Sequence, residues 1–221
     1  MSIKYNLQHI RATIPAGVTL VCVTKFHPAH TVAQAYSAGE RIFGESRVPE
    51  LVQKHEALPK DIQWHFIGHL QTNKVKFIVP FISLIHSVDS ENLLAKIDAE
   101  AAKIGKIVNC LLEVHIAQED SKYGFSPTAL TEFLAARRWA TMKNIRICGL
   151  MGMATYTDNV EQIRGEMQLL KQLFDRARKD FFADCEWFTE LSIGMSDDYH
   201  VAIEEGSTII RIGTSIFGAR S

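Results

Sequence analysis

The sequence is poor in cysteine and has no surplus of either charge. Its four cysteines, Cys22, Cys110, Cys148 and Cys185, include no C-x-x-C pair. Three of them sit in apolar, β-rich runs, where a small reduced core residue fits better than a metal ligand or a disulfide partner. Lys plus Arg number 24 and Asp plus Glu 25, which excludes the basic footprint of a nucleic-acid binder. No run of about 18 apolar residues occurs, so no transmembrane helix is expected. Residues 1–10 lack the apolar stretch of a secretory signal. These absences point to the cytoplasm. No Pro- or Ser-rich linker divides the chain, so residues 1–221 read as one domain.

What is present is an ordinary globular balance, 47% hydrophobic and 22% charged, which excludes disorder as the main state. Short β-rich runs occur at residues 18–24, 41–43, 63–67, 82–88, 108–116, 145–151, 187–193 and 207–212. Helical patterns lie between them. In 91–104, Leu94, Ile97 and Ala101 recur at steps of three and four, with Ser90 as cap and Gly105 as stop. In 160–179, Ile163, Met167, Leu170 and Phe174 share one face. Ser126-Pro127 opens another helix. Several strands, 108–114 among them, are apolar on both faces, as in a parallel sheet covered by helices. Eight βα units in roughly 200 to 250 residues predict an α/β fold, a single modified (β/α)8 TIM barrel with an additional N-terminal helix. The rival, an open doubly wound sheet, usually carries a Gly-rich turn after its first strand, and residues 24–28 contain no glycine there.

Barrel proteins place their working groups at the carboxyl ends of the strands. The first strand ends in Lys25, on the same face as Val21 and Val23. A lysine that continues an apolar face must lose its charge or meet an anion, and an uncharged lysine is a nucleophile toward aldehydes. The alternative is a lysine just past the strand, reaching to solvent. The seventh and eighth strands end in Ser192-Ile193-Gly194 and Arg211-Ile212-Gly213-Thr214. Backbone N–H groups near Gly194, Gly213 and Thr214, with the hydroxyls of Ser192 and Thr214, suit a phosphate. Arg211 shares a face with Ile209 and points into the mouth. Its alternatives are ion pairs with Glu190, Glu204 or Glu205. With Lys25 it implies an anion or a carboxylate between two cations, and the sharper reading is a phosphorylated aldehyde. Histidines make a competing set. His65, His86 and His115 end the third, fourth and fifth strands, with His69 beyond, and such rings can hold a divalent metal for hydrolysis.

At these residues the sequence resembles the pyridoxal-phosphate homeostasis proteins, relatives of the barrel domain of alanine racemase. The matching stretches are Val23-Thr24-Lys25, Phe43-Gly44-Glu45, His65-Phe66-Ile67-Gly68 with Leu70-Gln71-Thr72-Asn73-Lys74, Ser121-Lys122-Tyr123-Gly124-Phe125, Gly149-Leu150-Met151, Leu191-Ser192-Ile193-Gly194-Met195-Ser196-Asp197-Asp198, and Arg211-Ile212-Gly213-Thr214 with Ile216-Phe217-Gly218. The resemblance implies a barrel holding pyridoxal 5′-phosphate as an internal aldimine. It makes Lys25 the Schiff-base lysine, gives the phosphate to Ser192, Gly213 and Thr214, and sets Arg211 against the pyridine nitrogen. Ser46 stands where the family often has asparagine, so an amide contact would fall to a shorter hydroxyl.

An always-charged arginine disfavours the ring proton that makes the cofactor a strong electron sink. Racemisation also needs a base on each face of the α-carbon. In alanine racemase the second comes from an additional domain of the partner subunit, for which this chain has no room. Tyr36, Tyr123, Tyr156 and Tyr199 are the conceivable substitutes. The expectation is a monomer or weak dimer that buffers or delivers pyridoxal phosphate to dependent apo-enzymes, with no catalytic and no metal-ligating residues. The alternatives are a small amino-acid racemase and, more remotely, a divalent-metal hydrolase.

Overall fold

The computed structural model describes residues 2–119 and 123–218. Ser121 and Lys122, which open one of the stretches quoted above, lie outside the described residues. Eight parallel strands close in sequence order into a barrel, β8 returning to β1. They are β1 (Thr19–Val23), β2 (Ile42–Glu45), β3 (Gln63–Phe66), β4 (Leu84–Val88), β5 (Val108–Val114), β6 (Ile145–Gly152), β7 (Glu190–Ser192) and β8 (Ile209–Ile212). The helices are α1 (Ile3–Thr13), α2 (Ala29–Ser37), α3 (Val48–Ala57), α4 (Val75–Ile78), α5 (Glu91–Ala102), α6 (Pro127–Ala136), α7 (Val160–Phe181), α8 (Tyr199–Glu204) and α9 (Thr214–Phe217).

The expected caps form. Ser90 Oγ accepts from Leu93 N–H and Ser126 Oγ from Ala129 N–H, and Pro127 occupies the first turn of α6, where its missing donor costs nothing. α1 packs against α2 and α9, and Asn6 donates to the Ile216 carbonyl at 2.9 Å. α9 is a single turn, so the leading helix covers wall that a full-length last helix would otherwise cover.

All eight strands differ from their expected bounds by a residue or more, and the changes in β2 and β7 bear on the site. β2 runs through Gly44 and Glu45 rather than stopping at Phe43, because Gly44 and Glu45 pair with His65 and Phe66 on β3. β7 is only Glu190–Ser192, since 185–189 is drawn into turns that hydrogen-bond Phe188 N–H to the Cys185 carbonyl. Strand alternation then sorts the core. Val21, Leu84, Leu111, Cys148, Met151 and Ile209 fill the barrel interior. Leu20, Cys22, Leu112 and Leu150 belong to the larger layer between strands and helices.

Candidate functional site

Register places the side chains of β7 and β8 at different depths. Ser192 pairs with Ile209, whereas Arg211 N–H donates to the Gly194 carbonyl, two residues further toward the mouth. Arg211 points inward, as its alternation with Ile209 predicts, and is 4% exposed. Its Nη1 donates to the Ser192 carbonyl at 2.9 Å and to Ser192 Oγ at 2.6 Å, and its Nη2 to the Gly152 carbonyl at 3.0 Å. Glu190, Glu204 and Glu205 do not pair with it. Glu190 accepts from Thr189 and Thr208, and the other two hold Arg164. Burial lowers Arg211 to about 10, against the fields of Asp198 and Glu113 that raise it, so it remains cationic at neutral pH.

The next polar level upward is formed by Ser196 and Gly213. Gly213 N–H faces Ser196 Oγ at 3.4 Å. A Cβ at position 213 would lie 3.1 Å from the Val23 carbonyl and 3.3 Å from Val23 Cβ, so the backbone here is bare and close against β1. Thr214 and Ser215 are exposed. As the first residues of α9 they carry N–H groups with no acceptor inside the helix. Ser192 stands apart from this group. It is wholly buried, and its hydroxyl lies between Arg211 and His86, whose Nδ1 is 2.9 Å away.

Lys25 is the second residue past β1 and is half-buried. The β1–β8 pairing of Val21 with Arg211 sets it beside the Gly213–Thr214 turn, and the pairing of Val23 with Gly44 sets it beside Ser46 at the end of β2. Ser46 is half-buried and packs against Gly68.

The chain around Lys25 is held from both sides by α3, a feature the sequence reading missed. Lys54 Nζ donates to the Thr24 carbonyl at 2.7 Å, and Glu50 Oε1 accepts from Phe26 N–H at 2.7 Å. Lys54 and Glu50 are themselves paired across one helical turn at 2.7 Å. Phe26 sits at φ +69°, a left-handed conformation uncommon for a bulky residue. Beneath this clamp Glu45 is fully buried. Its Oε1 accepts from Thr24 Oγ1 and Lys54 Nζ, both at 2.5 Å, while its Oε2 has no partner. Burial therefore pushes Glu45 up to about 7, even though Lys54 and Thr24 pull it down.

Two further carboxyls face Arg211. Glu113, 3% exposed on β5, is raised to about 7 by burial and by Asp89, and Arg211 opposes that rise. Asp198 is raised by burial and closes the loop after β7 by accepting from Met195 N–H at 2.5 Å. The histidines gather differently from a metal set. His65 Nδ1 and His86 Nε2 face each other at 2.9 Å, and His69 bonds Asp89. Among the described residues no three His, Cys, Asp or Glu side chains converge to hold a metal ion. A cavity of about 500 Å³ lies between Phe26 and α3. One of about 410 Å³ lies at the rim, lined by Thr155, Tyr156, Asp158, Met195 and Asp197.

Comparison with known proteins places the chain in a family. The profile of the alanine racemase N-terminal domain matches residues 1–221. This chain belongs to that family. Within it, the chain is 39% identical over 202 residues to the pyridoxal phosphate homeostasis protein of Aquifex aeolicus, covering 91% of this chain and 86% of that one. It is 39% identical over 217 residues to the protein of the same name from Synechocystis, covering 96% and 95%. PipY of Synechococcus elongatus, solved without and with PLP, superposes at TM-scores of 0.92 and 0.88, at 33% and 32% identity, over 98% of this chain and all of PipY. Alanine racemase of Clostridium difficile shares the fold at TM-score 0.74 and 12% identity, over 99% of this chain and 56% of that one.

The conceivable second bases of this chain can now be placed. Tyr36 donates to Asp61, and the Tyr199 hydroxyl bonds Thr13 on α1. Tyr156 is 86% exposed at the rim, and Tyr123 stacks on His69 at 4.1 Å. No helix among the described residues is long and apolar enough to cross a membrane.

Proposed function

We propose that this chain holds pyridoxal 5′-phosphate at the barrel mouth and buffers it or delivers it to dependent apo-enzymes, without robust turnover, as a cytoplasmic monomer or weak dimer. The observation that carries this reading is the buried Arg211, fixed by three hydrogen bonds to Ser192 and Gly152 just beneath the Ser196–Gly213 level. The residues present fit the group. Lys25 supplies the amine for its aldehyde. The bare backbone at Gly213, the N–H groups of Thr214 and Ser215, and the Ser196 hydroxyl suit its phosphate. Ser192 was the hydroxyl expected there from sequence. It is wholly buried with Arg211 and His86 as its partners, which supports a part in holding Arg211. Ser46, beside Lys25, is proposed to border the ring.

When bound, the cofactor supplies an aldehyde that exchanges between amines and a ring that withdraws electrons best when its nitrogen is protonated. Arg211 keeps that nitrogen unprotonated, because a guanidinium donates a hydrogen bond and accepts none. The α3 clamp fixes the backbone from which Lys25 reaches. Asp198, whose field raises Arg211 without a hydrogen bond to it, offsets part of that charge.

The test loads the protein with pyridoxal phosphate and offers D- and L-amino acids in deuterated water, alongside an apo-aminotransferase. The reading expects the apo-enzyme to regain activity while amino acids keep their α-hydrogen. Multiple-turnover α-deuteration would make the chain a racemase. Failure to reactivate the apo-enzyme would remove delivery.

A further inference from the structure

Beneath Arg211 a line of buried polar groups runs down through the barrel. Arg211 Nη1 lies 2.6 Å from Ser192 Oγ. Ser192 Oγ lies 2.9 Å from His86 Nδ1, and His86 Nε2 lies 2.9 Å from His65 Nδ1. Ser192 and His86 are wholly buried and His65 is 6% exposed. His65 also lines a cavity of about 400 Å³ at the opposite end of the barrel, with Gln63, Asn109, Arg146 and Glu190. We infer that His86 and His65 are positioning residues that hold Arg211 in place through Ser192 by a hydrogen-bond chain of fixed direction.

The direction follows from donor arithmetic. A guanidinium only donates, so Ser192 Oγ must accept from Arg211. The hydroxyl proton is then free for one acceptor, and among the described residues the other partner of Ser192 Oγ is His86 Nδ1. With Nδ1 accepting, a neutral His86 carries its proton on Nε2 and donates to His65 Nδ1. His65 in turn carries its proton on Nε2. The reverse direction would have His86 Nδ1 donate to Ser192, leaving the serine proton without an acceptor in a fully buried site, and such unmade bonds are avoided. Neutrality of both rings agrees with their burial, which lowers both histidines, His65 to about 4, and with the fields of His65 and Arg211, which lower His86 further. One charged residue therefore sets two tautomers, and the rings in return keep a lone pair of Ser192 turned toward Arg211.

The tautomers are tested on cofactor-free protein, independently of any bound group. Long-range nitrogen–proton NMR of the histidine rings, assigned with single variants, is expected to show His65 and His86 both neutral and Nε2-protonated at pH 7. A proton on Nδ1 of His86, or a doubly protonated ring, would overturn the inference. The positioning role rests on the proposed reading of Arg211 as the ring-nitrogen partner, and pyridoxal phosphate titrations of His86→Leu and His86→Asn test it. Leu removes the acceptor, and the dissociation constant should rise about tenfold with a shifted near-visible band, as for one hydrogen bond to a charged group. Asn can present an amide oxygen at the Nδ1 position and should restore most of the affinity. Equal losses in both variants, or none in either, would contradict positioning. If the leucine variant does not fold, Ser192→Ala is expected to show the same rise, and an unchanged affinity there has the same contrary meaning. Wild-type protein that takes up no pyridoxal phosphate would remove the functional reading while leaving the tautomer result to stand on its own.

Discussion

Two serines four residues apart have different surroundings because of one register. Ser196 is level with Gly213 and partly accessible, whereas Ser192 is level with Ile209 and sealed in. Ser196→Ala is therefore expected to weaken pyridoxal phosphate binding about tenfold while leaving binding of unphosphorylated pyridoxal unchanged, as loss of one charge-assisted hydrogen bond requires. Equal losses for the two ligands would place Ser196 away from the phosphate. Glu113 gives a second residue-level prediction. Its folded pKa lies near 7, above the ordinary 4.5, so the native state holds a proton that the unfolded chain releases. Its contribution is complete below the unfolded value and is lost as pH rises through 7. Wild-type stability in urea should thus fall relative to Glu113→Gln between pH 5 and pH 8, by up to about 3 kcal/mol. Parallel stabilities across that range would contradict the buried, proton-bearing carboxyl. The inward direction of Arg211 and the strand-end place of Lys25 were legible in the sequence from alternation alone. The different depths of Ser192 and Ser196 were not, because they depend on how β7 is registered against β8.

At the scale of elements, α3 does more than cover the barrel. Its Lys54 and Glu50 grip the carbonyl before Lys25 and the N–H after it, over a buried Glu45. Lys54→Met would leave the Thr24 carbonyl with only His27 N–H and the Glu45 carboxyl with only Thr24 Oγ1, and Glu45 without its cationic partner. Breaking such a buried pair from one side costs roughly 3–5 kcal/mol, read as a lowered urea midpoint with unchanged slope. A loss below about 1 kcal/mol, the range of an exposed pair, would show the clamp to be dispensable. Nothing in the sequence pattern disclosed this arrangement. Lys54 and Glu50 look like an ordinary i,i+4 surface pair, and only the rotation of α3 about its axis turns them inward. The helix ends, by contrast, were readable from Ser90, Ser126-Pro127 and Gly105, because capping is local chemistry. α6 supplies a further test. It ends on Arg137, exposed and at φ +52°, so Arg137→Gly should stabilise the chain by up to about 1 kcal/mol in thermal unfolding. Destabilisation would mean that the arginine side chain outweighs its backbone strain.

For the whole molecule, closure of the barrel depends on close approach between neighbouring strands. A Cβ on Gly149 of β6 would stand 1.7 Å from the Glu190 carbonyl oxygen of β7, so Gly149→Ala is expected to prevent β6–β7 pairing and yield protein without a cooperative thermal transition. A folded, cooperative Gly149→Ala chain would show that the two strands can part without opening the barrel. The eight-strand count and the leading helix were visible in the sequence because parallel, doubly covered strands are apolar on both faces. The short β7 was overestimated, since 187–189 has strand-like composition but is drawn into a turn. The closed barrel brings Lys25, Arg211 and the Ser196–Gly213 level to one mouth, and the family assignment gives that mouth its proposed ligand. The most direct test is the near-visible spectrum of the purified protein with added pyridoxal phosphate, followed by borohydride reduction and peptide mapping. The account predicts a yellow band and one stable modification on the peptide containing Lys25, both lost in Lys25→Ala. No band, or label scattered over surface lysines, would contradict it.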